Sequence, residues 1–368
     1  MKLTWDHVFA WRMRRHLLDR PAMGTDAVSI VERLCGVQAQ VMSSAELAVA
    51  VRQAKPAAGE VNKALKAKRL IKTWAVRGTL HLLTPRQAPA LLALMAATKA
   101  WEKPVWQRNF VTLKQMAAMA ETAWDALDGK VLTREQLTAA IVEHTSDKAL
   151  GERLASGWGT ALKPLAFQGL LINGPSEGGR VTFTRPDTYV DGWAGLPEPA
   201  AAARETIPAY LSAYGPASPE TFNQWVCRSV LKKGDLKRWF AELAGEGEIV
   251  PVEVDGESLY APASELDAIA SANPFDEVRL LPAFDQYVLG PGTKDAQLIG
   301  ADRRAEISKA AGWIAAVVVH RGRVAGTWES NNATIDVSLF RERGPVPAKQ
   351  IKAEAGRISD GPVRISVQ

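Results

Sequence analysis

Apolar residues recur with a helical period in the first third of the chain. Trp11 and Leu18 stand one heptad apart in the stretch Trp5 to Leu18, with Arg12, Arg14, Arg15 and Arg20 clustered beside them, so an amphipathic basic helix is predicted. Ala27, Ile30, Val31 and Leu34 follow the i, i+3, i+4, i+7 spacing of a buried stripe, with Thr25 or Asp26 to cap its start and Gly36 to end it. Ser43 and Glu46 have the spacing of a capping box, which predicts a new helix carrying Leu47 and Val51 inward. After a Pro56-Ala57-Ala58-Gly59 break, a helix from Val61 to Lys68 leads into two strand-like runs, Leu70 to Val76 and Thr79 to Leu83, joined at Arg77-Gly78. Helices closed by a hairpin have the order of a winged helix-turn-helix.

That order recurs. Thr84 to Gln87 restarts a helix that Pro89 is expected to bend, and a helical connector runs to Leu127. A second unit opens on the capping box Thr133 to Gln136, continues through helices near 149–154 and 157–169, and closes with strands at 170–173 and 180–184. A third places helices at Pro208 to Tyr214, from Ser218 and around Leu236 to Leu243 before a hairpin over Asp255-Gly256. From Val278 onward strands dominate. The expected fold is therefore α+β. It has about three tandem winged helix-turn-helix units (1–127, 128–198 and 199–270), then a mostly-β, barrel-like domain at 271–368.

Composition narrows the partner. The 368 residues are 47% apolar, enough for two or three domains with real cores. The formal net charge of +5 and pI near 9.1 suit a polyanion without proving one. Placement says more: Lys63, Lys66, Lys68, Arg69, Lys72 and Arg77 fall on the last helix and the wing of the first unit, where a phosphate backbone would lie. Cys35 and Cys227 are far apart in apolar, helix-like contexts, as buried free thiols of a reducing compartment. The N-terminus lacks a long apolar run, and no segment approaches the ~20 apolar residues of a membrane span. A cytoplasmic protein without membrane contact is expected. No P-loop, dinucleotide fingerprint, Gly-x-Ser-x-Gly or zinc pattern is present, so neither cofactor nor metal is expected.

The candidate chemistry is a pair of amides. In Val37-Gln38-Ala39-Gln40-Val41, extended backbone would put Gln38 and Gln40 on one face and the three apolar residues on the other. The plain reading is two linker amides satisfying backbone groups. The functional reading is a pair orienting a water or a substrate edge. Glutamine is no strong base near pH 7, so it would serve only where the bond needs little push. Trp74 and His81 on the wing are candidates to meet a partner, and Lys163 adds a cation in the second unit. These features alone lead to a DNA-binding protein of several winged helices. Most such proteins are regulators, and a protein-interaction scaffold is a weaker third reading.

Four segments carry a more specific signal. They are Arg33 to Gln40, the wing Thr73 to Leu82, the run Leu280-Leu281-Pro282-Ala283-Phe284-Asp285-Gln286-Tyr287-Val288-Leu289-Gly290, and Gly322 to Trp328. Together, in this order, they resemble the winged-helix DNA glycosylases of the AlkZ/YcaQ type, in the branch with a Gln-x-Gln motif. The chain departs from many relatives in Val41 to Ser44 and after Gly290. The resemblance implies tandem winged helices with a C-terminal β-barrel, acting as a monomer on double-stranded DNA that contains bulky alkylated or crosslinked purines. No lysine in the motif is placed to form a Schiff base, so a monofunctional glycosylase that leaves an abasic site is expected. Gln38 and Gln40 would take the catalytic positions and the hairpin Leu70 to Leu83 that of a DNA-probing wing. Lys68, Arg69, Lys72, Trp74, Arg77, His81 and Lys163 would be the DNA contacts.

Overall fold

The computed structural model describes residues 2–155, 159–331, 334–359 and 361–368. The chain forms two compact units, one of Met1–Glu60, Ile207–Trp225 and Phe240–Gln368, the other of Val61–Thr206 and Val226–Trp239. No helix among the described residues is long and apolar enough to cross a membrane. The mixed α+β class is as expected.

In the first unit the helix Trp5–Arg15 starts from a capping box in which Thr4 and His7 satisfy each other's backbone N–H. Before it, Lys2–Leu3 runs parallel to Ile249–Val254, which forms the predicted hairpin with Glu257–Pro262 over Asp255-Gly256. The β-rich part is a five-stranded sheet in the order Val278–Leu281, Val317–His320, Arg323–Asn331, Thr334–Leu339, Val363–Val367. Both faces of this sheet are covered. Leu281, Val317, Val319 and Val324 join one core with Phe9, Trp11, Met13 and Phe340, while Val278, Leu280, Val318, Trp328 and Ile335 join a second with Ile351. Burial on both faces explains why Val317 to Val319 reads as an unbroken apolar run. The predicted barrel does not form: the sheet is open, with Val278–Leu281 and Val363–Val367 at its two edges.

In the second unit the hairpin Ile71–Trp74 and Leu80–Leu83 is in register from Ile71 opposite Leu83 to Trp74 opposite Leu80. Its tip turns through Arg77 and Gly78, both at positive φ (57° and 69°). The hairpin of the next repeat does not stand apart from it. Lys72 pairs with Asn173, and the sheet continues through Thr182–Thr184 to Val131–Thr133. The capping box at Thr133 starts its helix as predicted. Pro89 lies in the first turn of Ala88–Ala97 and so helps start that helix instead of bending it. The helix expected over 157–169 is shorter, a 3-10 turn at Thr160–Leu162 followed by Lys163–Phe167, and its start falls outside the described residues.

Candidate active site

The glutamine loop begins where the helix Ala27–Arg33 ends. Asp26 caps that helix by accepting from Ser29 N at 2.9 Å. At its other end Cys35 N donates to Glu32 O and Gly36 N to Val31 O, the paired bonds of a Schellman motif. The left-handed position is held by Cys35 (φ 51°), one residue before the glycine expected to end the helix.

The strand that follows is only Val37–Gln38. Val37 and Ala39 are buried as expected, but Gln38 is buried with them at 5% exposure, and only Gln40 is exposed. The two amides therefore do not share one exposed face, because strand geometry ends before the alternation reaches Gln40. The next helix, Met42–Ala50, has Val41 as its N-cap and no side-chain cap, so the predicted Ser43/Glu46 box is not formed. Cys35 and Cys227 are buried free thiols, as expected.

A buried network holds both flanks of the loop. Before it, the Tyr214 hydroxyl donates to the Leu34 carbonyl. After it, Arg52 is fully buried and donates to Ala48 O in the following helix at 2.6 Å. The same guanidinium grips both carboxylate oxygens of Asp285 at 2.8 Å each, the bidentate geometry that makes such pairs strong. Asp285 also caps Gln286–Leu289 by accepting from Tyr287 N at 2.8 Å. His16 fills the space between, its edge against Tyr214 and Tyr287 with ring centroids 5.4 and 5.2 Å away. Burial, then the Arg52 charge, push its pKa well below the usual range. The neutral ring donates from Nε2 to Ala213 O at 2.9 Å.

This network accounts for the two late motifs. A Cβ at Gly290 would lie 2.0 Å from the Tyr214 ring, so only glycine lets that tyrosine close on Leu34. Tyr287 donates to Gly322 O at 2.7 Å and Trp328 Nε1 to Leu281 O at 2.8 Å, tying one motif to the other. Arg52, Asp285, Tyr214 and His16 were not singled out from the sequence. The available signal was charge in apolar surroundings, Asp285 within Ala283 to Leu289 and Arg52 after Ala48 to Val51.

In the second unit the predicted cations lie at or near the surface. Lys68 and Arg69 are exposed, with Lys68 Nζ 4.4 Å above the Tyr189 ring. Lys72, Arg77 and Lys163 are half-buried. Burial lowers the pKa of Lys72, and burial followed by the Arg228 charge lowers that of Lys163. Two predicted partner contacts are corrected. Trp74 is buried, stacked on Phe183 at 5.7 Å and packed against Gly159. His81 is 1% exposed, and burial pushes its pKa down to about 3. Its Nδ1 donates to Thr79 O at 3.0 Å. The two lie on opposite faces of the hairpin, since His81 stands opposite Thr73 and Trp74 opposite Leu80, and both faces are buried there.

A family model described as DNA glycosylase AlkZ-like matches residues 31–360, which includes the glutamine loop, the hairpin and both late motifs. The chain belongs to the AlkZ-like DNA glycosylase family. Its activity class is accordingly that of a DNA glycosylase. It is 44% identical over 361 residues, 98% of its own length and 96% of the relative's, to an interstrand DNA cross-link repair glycosylase of Streptomyces sahachiroi. The solved Streptomyces sahachiroi DNA glycosylase AlkZ matches it with a TM-score of 0.95 and 43% identity, over 99% of this chain and 100% of that one.

Proposed function

We propose that this glycosylase hydrolyses the N-glycosidic bond of bulky or cationic alkylated purines, interstrand crosslinks among them, and leaves an abasic site. The observation that carries the reading is an exposed Gln40 beside a buried Gln38 in a loop tied at both flanks. An N7- or N3-alkylated purine is already cationic, so its bond to C1′ breaks toward an oxocarbenium ion without strong acid assistance. The purine leaves with the bonding pair, which neutralises its charge. Water then adds to C1′ and loses a proton to solvent. Gln40 orients that water through its amide oxygen, and Gln38 holds the loop and the developing positive charge from beneath. Glutamine suffices because the substrate supplies its own leaving-group activation. The substrate class is supported by the name of the Streptomyces sahachiroi relative.

Lys68, Arg69, Lys72, Arg77 and Lys163 serve as the backbone contacts, and the three helix-plus-hairpin segments act as winged-helix modules on double-stranded DNA. The protein works as a monomer in the cytoplasm. The test is release of base from duplex DNA carrying N7-alkylguanine. Wild type frees it faster than spontaneous depurination, and Gln40→Ala slows release by about 10²- to 10³-fold, the usual loss for one positioned polar group. Wild-type release at the spontaneous rate overturns the substrate assignment.

A further inference from the structure

The hairpin tip of the second unit opens onto a cleft of about 280 Å³ that the glutamine chemistry does not use. Three cations line it: Arg77 from the tip, Lys163, and Arg228. So do three aromatic rings, Trp101, Trp106 and Phe167. Neither Lys163 nor Arg228 has an acidic partner among the described residues, and the Arg228 charge adds to burial in lowering the pKa of Lys163. Arg77 and Arg228 are both held at positive φ, 57° and 58°. Non-glycine residues adopt that conformation at a cost that is commonly kept at binding sites. Lys163 and Arg228 converging beside aromatic walls, without an acidic partner among the described residues, suit a ligand that carries its own anion and a planar ring.

We infer that this cleft holds one unstacked nucleotide, its base against the Trp106 indole and its phosphate among Arg77, Lys163 and Arg228. Ligand sites start near ~300 Å³, so the space takes one planar group with its phosphate and excludes a duplex. Aromatic stacking with backbone cations is the general means of gripping an unpaired strand without reading its sequence. The inference rests on the reading of this chain as acting on DNA. It assigns the occupant to a nucleotide displaced from the helix near the lesion, and a free nucleotide has the same chemistry.

The experiment uses 2-aminopurine, whose fluorescence is quenched on stacking. The full-length protein is titrated with 2-aminopurine deoxynucleoside monophosphate, with a single-stranded octanucleotide carrying one 2-aminopurine, and with the matched duplex. Wild type quenches the monophosphate and the single strand but not the intact duplex, and inorganic phosphate competes. The Lys163→Gln/Arg228→Gln protein binds at least tenfold more weakly, Lys163→Arg/Arg228→Lys restores binding, and Trp106→Leu loses the quench. Equal quenching by wild type and the glutamine double variant overturns the proposal, as does phosphate binding without any quench. Quenching of the free monophosphate alone overturns the assignment to a strand. Gln40→Ala quenches as wild type does, so base release without quenching removes the cleft proposal and leaves the glycosylase reading standing, while quenching without release does the reverse.

Discussion

The Arg52–Asp285 pair makes a quantitative prediction. Both side chains are fully buried, and two hydrogen bonds of 2.8 Å join them. Asp285→Ala leaves the guanidinium charged in the core, donating to Ala48 O and, at 3.4 Å, to the neutral His16 Nδ1, with no anion beside it. Removing one partner of a buried pair costs about 3–5 kcal/mol, and loss of the Tyr287 N cap adds about 1 kcal/mol. Expected destabilisation is therefore ~4–6 kcal/mol, read as the shift in the denaturant midpoint of the first unit. Replacing both partners by apolar residues of similar size, Arg52→Met with Asp285→Leu, removes the stranded charge and leaves only packing differences. The double variant is thus expected to be more stable than Asp285→Leu alone, which strands the same charge, with a coupling of at least ~2 kcal/mol in the cycle of Arg52→Met and Asp285→Leu. Excision by the folded fraction still falls in the double variant, because Ala48 O and the helix behind Gln40 lose their anchor. Additive single-variant costs refute the buried-charge argument. A stable double variant with wild-type excision refutes the role in positioning the loop.

Two further expectations follow from single residues. His16 and His81 are buried with pKa values lowered by desolvation, His81 to about 3. Below about pH 6.5 the unfolded chain takes up protons that the folded one does not, so stability is full above that pH and falls as acid is added. Each histidine contributes about 1.4 kcal/mol per pH unit. His81→Phe should flatten the acid limb between pH 6.5 and 3 in denaturant titrations, and an unchanged slope counts against a neutral His81. Gly290→Ala forces a methyl against the Tyr214 ring, with only 2.0 Å available. Tyr214 must leave Leu34 or the backbone must shift, so melting temperature and base release should fall together, and a neutral Gly290→Ala would show that Tyr214 has room to move.

Local periodicity carried most elements, since the stripe Ala27 to Leu34 and the box at Thr133 depend on neighbours within four residues. It failed where a long-range contact outweighs a local one. Ser43 and Glu46 have the spacing of a capping box, yet the helix starts at Met42 with Val41 as an N-cap that makes no side-chain bond, and its far end is held by Arg52 on the distant Asp285. The two hairpins read as separate wings merge through the single pairing of Lys72 with Asn173, which no local pattern encodes. The barrel expectation failed because an unbroken apolar run reports that a strand has two covered faces and says nothing of whether the edges meet. Trp74 was misplaced for a related reason. Basic neighbours suggested an outer surface, but Phe183 and Gly159 come from residues about a hundred positions away.

The glutamine pair itself illustrates why the family signal lies in four segments and not in one. An amide has little intrinsic reactivity, so its contribution depends on being held in place, and placement within about 1 Å can be worth 10²-fold in rate. Here the holding groups come from elsewhere in the chain: Tyr214 from one helix, Asp285 and Gly290 from one late motif, and Gly322 with Trp328 from the other. A stronger catalytic group would tolerate looser support. With two amides the support must be rigid, and the residues that make it so are a guanidinium–carboxylate pair and three glycyl or aromatic contacts with no chemistry of their own. Gln38 belongs to both classes. It is buried enough to act as a strut for the loop, while Gln40 is exposed, as the proposed water-orienting role requires.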